Sequence, residues 1–425
     1  MSFGKLATLF IGLVMIAILM FVPLSHQGGT VSIGVRDSYT HIQPNAGEQP
    51  PSKPADIHVN VSLEERHFEL LLQANREFMM KYPHIQVSLT NEPEPRSAFA
   101  DWMAQSRQGE AADVLLLDNG YVLPFAVNGF LKPVDSLLTG DSGTDQLSAL
   151  LDPLRWNGYL WAIPKDTNPY LLVWQKDLLK ETGWEEPPAD WPSYQALAAR
   201  RLEQAPDAKL LNWSAGDLNQ HLLWLARYDK APNQLLELSA YTKDQLARLD
   251  TMQALERQTS HIALDDLPAL VQAFQQRELL AAILPWSDIE QLEPPVSKLL
   301  YIDRESASFP WLGGRSYAVT SGSLHEEEAL LWIAAMTEPH HQQRVYQELG
   351  LLPVRASMYA QNEAEAVSGG KPPVWWGAML AQTGTMDTPD PDWSGKWQAR
   401  ERLWETVTGN EGELAAYVEA VVRTE

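Results

Sequence analysis

Ile57-His58-Val59-Asn60-Val61-Ser62-Leu63-Glu64-Glu65 is the stretch on which the fold turns. Apolar and polar residues alternate from Ile57 to Val61, the period of a half-buried strand. Ser62-Leu63-Glu64-Glu65 has the spacing of a capping box, in which Ser62 and Glu65 satisfy the first orphan N–H groups of a helix. Phe68, Leu71, Leu72, Phe78 and Met79 follow at helical spacing, and Pro83 ends that helix. Ile85-Gln86-Val87-Ser88-Leu89 alternates again, a helix is expected over 98–107, and Asp113-Val114-Leu115-Leu116-Leu117 is a short apolar strand. Strand–helix–strand–helix–strand with apolar strands predicts an α/β fold whose parallel sheet is covered on both faces. Ligands of such sheets gather at the carboxyl ends of the strands, here at 62–65 and 118–121.

Composition narrows the chemistry. The 425 residues carry 32 Lys+Arg against 55 Asp+Glu, a net charge of −23. Such a chain lacks the basic surface that phosphate neutralisation requires, so no nucleic-acid partner is expected. The absence of cysteine excludes disulfides, thiolate zinc sites, iron–sulfur ligation and cysteine nucleophiles. It also excludes a lipid-modified N-terminal cysteine. The 16 tryptophans are an excess whose flat amphipathic rings suit sugars.

Upstream, residues 6–24 form an apolar run behind Lys5, long enough to cross a bilayer as a helix. We read 1–25 as an uncleaved signal anchor, a transmembrane helix, with a cleaved signal as the alternative. Both place the rest of the chain outside the cytoplasm. Residues 26–56 are rich in Gly and Pro and read as a flexible linker. Downstream, Trp156-Asn157-Gly158-Tyr159 reads as a hairpin, 170–174 as a strand, 190–280 as mostly helical, and 281–284 and 316–320 as strands. Ser323-Leu324-His325-Glu326 repeats the capping-box spacing.

Taken in order, these landmarks resemble the extracellular solute-binding proteins of bacterial ABC importers, in the carbohydrate-binding group that includes maltodextrin-binding proteins. The resemblance rests on the start at 57–79, Tyr82-Pro83-His84-Ile85-Gln86-Val87, and Ala112-Asp113-Val114 with Asp118. It continues through Gly129-Phe130-Leu131, Asn157-Gly158-Tyr159-Leu160-Trp161-Ala162-Ile163-Pro164, Pro285-Trp286, Gly313-Gly314 and Leu351-Leu352-Pro353-Val354-Arg355. It covers residues 57–425. It implies a two-lobed, periplasmic-binding-protein-like fold with a hinge of three crossing segments at 166–169, within 303–310, and at 349–355. The first lobe would be 57–165 with 308–350, and the second 166–307 with 351–425. The function implied is capture of a carbohydrate, an oligosaccharide or related fragment, for delivery to importer permease subunits. The protein would be a monomer, without cofactor or catalysis. A sugar sensor for a membrane signalling protein and a surface glycan hydrolase are the alternatives.

Sugar recognition needs flat apolar surfaces and planar hydrogen-bonding groups. The resemblance implies two stacking candidates: Trp286, past a strand end where the family often places a cleft aromatic, and Trp397, matching a tryptophan that maltodextrin-type relatives use near the start of a C-terminal helix, with Trp393 as its rival. Trp311, beside Gly313-Gly314, reads equally as cleft lining or hinge packing. Among polar groups, Glu65 and Arg66 follow the first strand, with capping as the other reading of Glu65. Asn119 and Tyr121 follow the third strand, and Asp166 and Asn168 lie in the first crossing. Arg355 reads either as cleft-facing or as the partner of a carboxylate. The adjacent His340 and His341 should point to different faces of a helix, so no metal site is expected.

Overall fold

The computed structural model describes residues 53–138, 145–214, 217–229, 241–308, 313–362, 370–381, 392–409 and 414–423. The expected membrane helix at 1–25, the linker as far as residue 52, and Trp311 lie outside the described residues. Among the described residues, no helix is long and apolar enough to cross a membrane.

Strand β1 (Ala55–Val61) buries Ala55, Ile57, Val59 and Val61, as its alternation requires. Helix α1 (Glu65–Lys81) turns His67, Leu70, Leu71, Ala74, Asn75 and Phe78 inward, an i, i+3, i+4 stripe. The expected capping box does not form. The helix begins after Glu64 without a side-chain cap, and the buried Ser62 hydroxyl has no partner. Instead the Leu63 N–H donates to Asn91 Oδ1 at 2.9 Å, at the end of β2 (Ile85–Asn91). Helix α2 (Pro95–Gln108), strand β3 (Val114–Asp118) and helix α3 (Asn119–Val127) complete this run.

The hairpin pairs β4 (Arg155–Trp156) with β5 (Tyr159–Leu160). Its two turn residues, Asn157 (φ 51°) and Gly158 (φ 82°), take the left-handed conformations that a tight two-residue hairpin needs. Then β6 (Ile163–Asp166) and β7 (Tyr170–Gln175) follow, and the helical stretch beyond them holds two strands of two residues each, β8 (Leu211–Asn212) and β9 (Thr259–Ser260). These are too short to show a period in sequence. Next come β10 (Ala281–Pro285), α4 (Trp286–Glu290), β11 (Leu300–Asp303) and β12 (Arg315–Val319). Helices α5 (Glu326–Met336), α6 (Pro339–Leu349) and α7 (Trp393–Gly409) follow. The second capping box is also absent. α5 begins after His325 without a side-chain cap, while Ser323 Oγ donates to Asp113 Oδ1 at 2.6 Å and accepts from the His325 N–H at 3.2 Å.

The strands form two five-stranded sheets, β2-β1-β3-β12-β6 and β11-β7-β10-β8-β9, the centres of two α/β lobes. The first sheet is mixed rather than parallel. β1, β2 and β3 run together, whereas β12 returns from the second sheet and lies antiparallel to β3 and β6. Strand β7 reads as a continuous apolar run because both faces are covered. Leu172 and Trp174 enter one core of the second lobe, and Leu171 and Val173 enter another.

Two segments link the sheets, 167–169 and 304–314, and a third, 350–355, runs beside them. They converge on the buried Thr167. Its N–H donates to Leu352 O at 3.1 Å, and its carbonyl accepts from the Leu352 N–H at 2.9 Å. Its hydroxyl donates to Gly313 O at 2.9 Å. Gly314 has φ 115°, and a β-carbon there would stand 2.5 Å from the Asp166 carbonyl oxygen. The Gly313-Gly314 pair is therefore a close-approach device where two crossings touch.

Candidate ligand-binding cleft

Strand register assembles the polar centre of the site. Arg315 on β12 lies opposite Asp118 on β3 and opposite Asp166 on β6, so a cation sits between two carboxylates on adjacent strands. Arg315 chooses Asp166, donating from Nε at 3.1 Å and Nη2 at 3.0 Å. Lys165 Nζ donates to the same carboxylate at 2.6 Å. His67, from the first turn of α1, touches Lys165 Nζ and lies 3.1 Å from Arg315 Nη2.

Burial and charge compete in this cluster. Burial alone would raise the Asp166 pKa, but Arg315, Lys165 and His67 outweigh it and hold the carboxyl well below the usual range. Burial pushes Lys165 down to about 8 against the pull of Asp166. His67 is driven well below its ordinary value by burial, then by Lys165 and Arg315, so the ring is neutral. Asp118 has the weaker share of Arg315, and burial pushes it up to about 6.

Beyond this cluster the lobes meet through α7. The Trp393 ring covers Gly120, where an added β-carbon would collide with it. Trp397 stacks on Trp393 with ring centres 5.0 Å apart and planes 26° from parallel. Gln398 Nε2 donates to the Tyr121 hydroxyl at 2.6 Å, and Arg96 on α2 pairs with Glu401 at 3.3 Å and Glu405 at 2.5 Å. On the opposite side, the Tyr170 hydroxyl donates to Asp217 at 2.8 Å. Burial raises Asp288, on α4, to about 6, with the charge of Glu64 from the other lobe adding to it.

The sequence candidates take different places. Tyr121 is half-buried, packed on Phe99 with ring centres 4.4 Å apart, and joined to α7 through Gln398. Trp397 is half-buried beside it in the chain's second lobe. Asn119 is buried, accepting from Ser316 Oγ at 2.6 Å, and braces β12. Asp166 is the anion of the buried cluster. Asn168 clips the first crossing to α4, donating to Ser287 Oγ at 3.0 Å and accepting from the Ser287 N–H at 2.9 Å. Glu65 is exposed in the first turn of α1. Arg66 is exposed and pairs with Glu69 at 2.9 Å and with Glu348 of α6. Trp286 is 2% exposed, edge-to-face with Trp375 and Trp376. Arg355 takes the structural alternative, donating to Thr337 O at 3.0 Å and lying 3.6 Å from Asp145.

Sequence reasoning missed His67, Lys165, Arg315, Gly120 and Gln398. Arg315 carried one usable signal, its place directly after Gly313-Gly314. The others become site residues only through strand register or the docking of α7.

A sequence profile of the family described as bacterial extracellular solute-binding protein matches residues 73–369, more than half of the chain. Curated relatives from Brucella abortus and Brucella suis are 24% identical over 92 residues. That match spans 22% of this chain and 22% of theirs. Among solved structures, maltose-bound MalE3 of T. maritima is 17% identical with a TM-score of 0.64, over 87% of this chain and 98% of that one. The sugar-binding protein MalE from Xanthomonas citri is 17% identical with a TM-score of 0.65, over 87% and 96%. UgpB from Mycobacterium tuberculosis, in complex with glycerophosphocholine, is 16% identical with a TM-score of 0.61, over 88% and 97%. At these identities the likeness establishes the fold alone.

Proposed function

We propose, from the premise that the chain belongs to the bacterial extracellular solute-binding proteins, that it captures a carbohydrate for an ABC importer. The ligand would be an oligosaccharide or related fragment, held between the lobes and passed to membrane permease subunits. The lobes would divide as 57–165 with 308–350 and 166–307 with 351–425. The apolar segment at 1–25 would tether the monomer outside the cytoplasmic membrane, replacing the lipid that a missing cysteine forbids. No bond is made or broken by this component.

The observation that carries the reading is the stacked Trp393–Trp397 pair beside the Tyr121–Gln398 hydrogen bond. A flat aromatic face next to planar polar groups is the surface that a pyranose ring and its hydroxyls require. Sugar-binding neighbours of the same fold support the substrate class. Asn168, Trp286 and Trp311 remain proposed contacts of an opened cleft, with Glu65, Arg66, Asn119 and Asp166 at its edges and floor. Closure would select the liganded state through contacts made only when the lobes meet. Thermal shift across a panel of oligosaccharides tests this. Stabilisation without product supports capture, and product formation would make the protein a glycan hydrolase. Stabilisation by a peptide, and by no sugar, would defeat the substrate class.

A further inference from the structure

Where α1 packs against α6, Glu77 meets His340 and His341. One ligand atom from each of the three lies within 4.8 Å of the others. Adjacent histidines were expected to diverge, yet their ring centres are 3.8 Å apart. They stand in the first turn of α6, where His341 enters the seam with α1 and His340 folds over it. His340 Nε2 is 4.0 Å from Glu77 Oε2, and its Nδ1 is 3.4 Å from Glu338 Oε2. The other Glu77 oxygen is taken by Arg344 at 3.2 Å and Gln73 at 3.3 Å, which leaves Oε2 facing the imidazoles. His341 is 8% exposed and lines a cavity together with His67 and Lys165. Two imidazoles and a carboxylate oxygen thus converge where the two helices meet.

We propose that Glu77, His340 and His341 bind a divalent transition-metal ion of the zinc class. Two imidazoles and one carboxylate suit zinc, nickel or copper rather than calcium or magnesium, which take oxygen ligands. Tetrahedral coordination with bonds of about 2.0–2.1 Å puts neighbouring donors roughly 3.3 Å apart. Rotation of the exposed His340 and half-buried Glu77 side chains supplies that closure, and water or Glu338 fills the fourth position. The ion would cross-link α1 to α6, the helix that runs through Gly350 into the segment 350–355.

The test uses the full chain without a histidine tag, stripped with a chelator and titrated with Zn²⁺ by calorimetry and with Co²⁺ by visible absorption. One ion per chain and a rise in Tm with added metal are expected. His340→Ala, an exposed substitution, should retain the metal-free Tm yet lose at least about tenfold in affinity, and Glu77→Gln should lose affinity as well. Absence of binding, or binding that both variants retain in full, overturns the proposal.

Discussion

The indole of Trp393 occupies the space in which a β-carbon on Gly120 would sit, so one glycine lets α7 of the second lobe lie against α3 of the first. Gly120 lies inside α3, where alanine is ordinarily the better helix former. Its value here is the missing side chain. Gly120→Ala should therefore overpack this contact and destabilise the protein by about 1–3 kcal/mol, although helix propensity alone predicts a gain. Denaturant titration measures the sign. A more stable Gly120→Ala variant would show that α7 does not hold this position.

The two stacking candidates should separate experimentally. Trp286 is enclosed by Trp375 and Trp376, so Trp286→Ala should cost about 3–5 kcal/mol of stability. Trp397 is half-buried, and Trp397→Ala should spare most of the stability while weakening sugar binding about tenfold, near 1.4 kcal/mol. Paired unfolding and binding curves check this. Equal loss of stability in both variants would move Trp397 into the core.

Asp166 neutralises Arg315 and Lys165 at the crossing. Asp166→Asn keeps the shape and removes the charge, leaving two buried cations without their anion. Breaking a buried pair from one side costs about 3–5 kcal/mol. The expected outcome is a lower unfolding midpoint, with a cooperative transition retained. An unchanged midpoint would mean that water already screens this cluster.

Asp118 offers a pH signature. Its folded pKa, raised by burial to about 6, stands above the ordinary 3.8, so the folded state holds the proton that the unfolded state releases. The contribution of this carboxyl to stability therefore falls as pH rises from about 4 to about 6 and is level outside that window. The stability of Asp118→Asn relative to the parent should improve across this interval. A difference that stays flat with pH would place the Asp118 carboxylate in water.

Local features were legible because they depend on neighbours in sequence. Asn157-Gly158 specified a tight hairpin, and the stripe of α1 followed from its 3.6-residue period. Neither expected capping box formed: the helices begin two residues further on, after Glu64 and His325, and Leu63 and Ser323 bond to Asn91 and Asp113, partners that no short motif contains. Tyr121 was proposed from a strand end and Trp397 from the family resemblance, whereas Arg315 and Lys165 required the pairing of strands far apart in the chain. His340 and His341 were dismissed because neighbours on a helix diverge, yet their rings lie 3.8 Å apart, a side-chain placement that backbone periodicity does not set.

By itself the sequence determined an acidic, cysteine-free α/β chain with a recognisable order of strands, turns and crossings. Those properties are set by composition and by short-range periodicity. The tertiary structure alone decided that the first sheet is mixed, that Thr167 ties three segments together, and that Arg315 lies between Asp118 and Asp166. It also decided which tryptophans are enclosed and which form a stacked pair beside Tyr121. Register and docking set these outcomes, because a side chain's burial and partners depend on which distant strand or helix comes to rest against it.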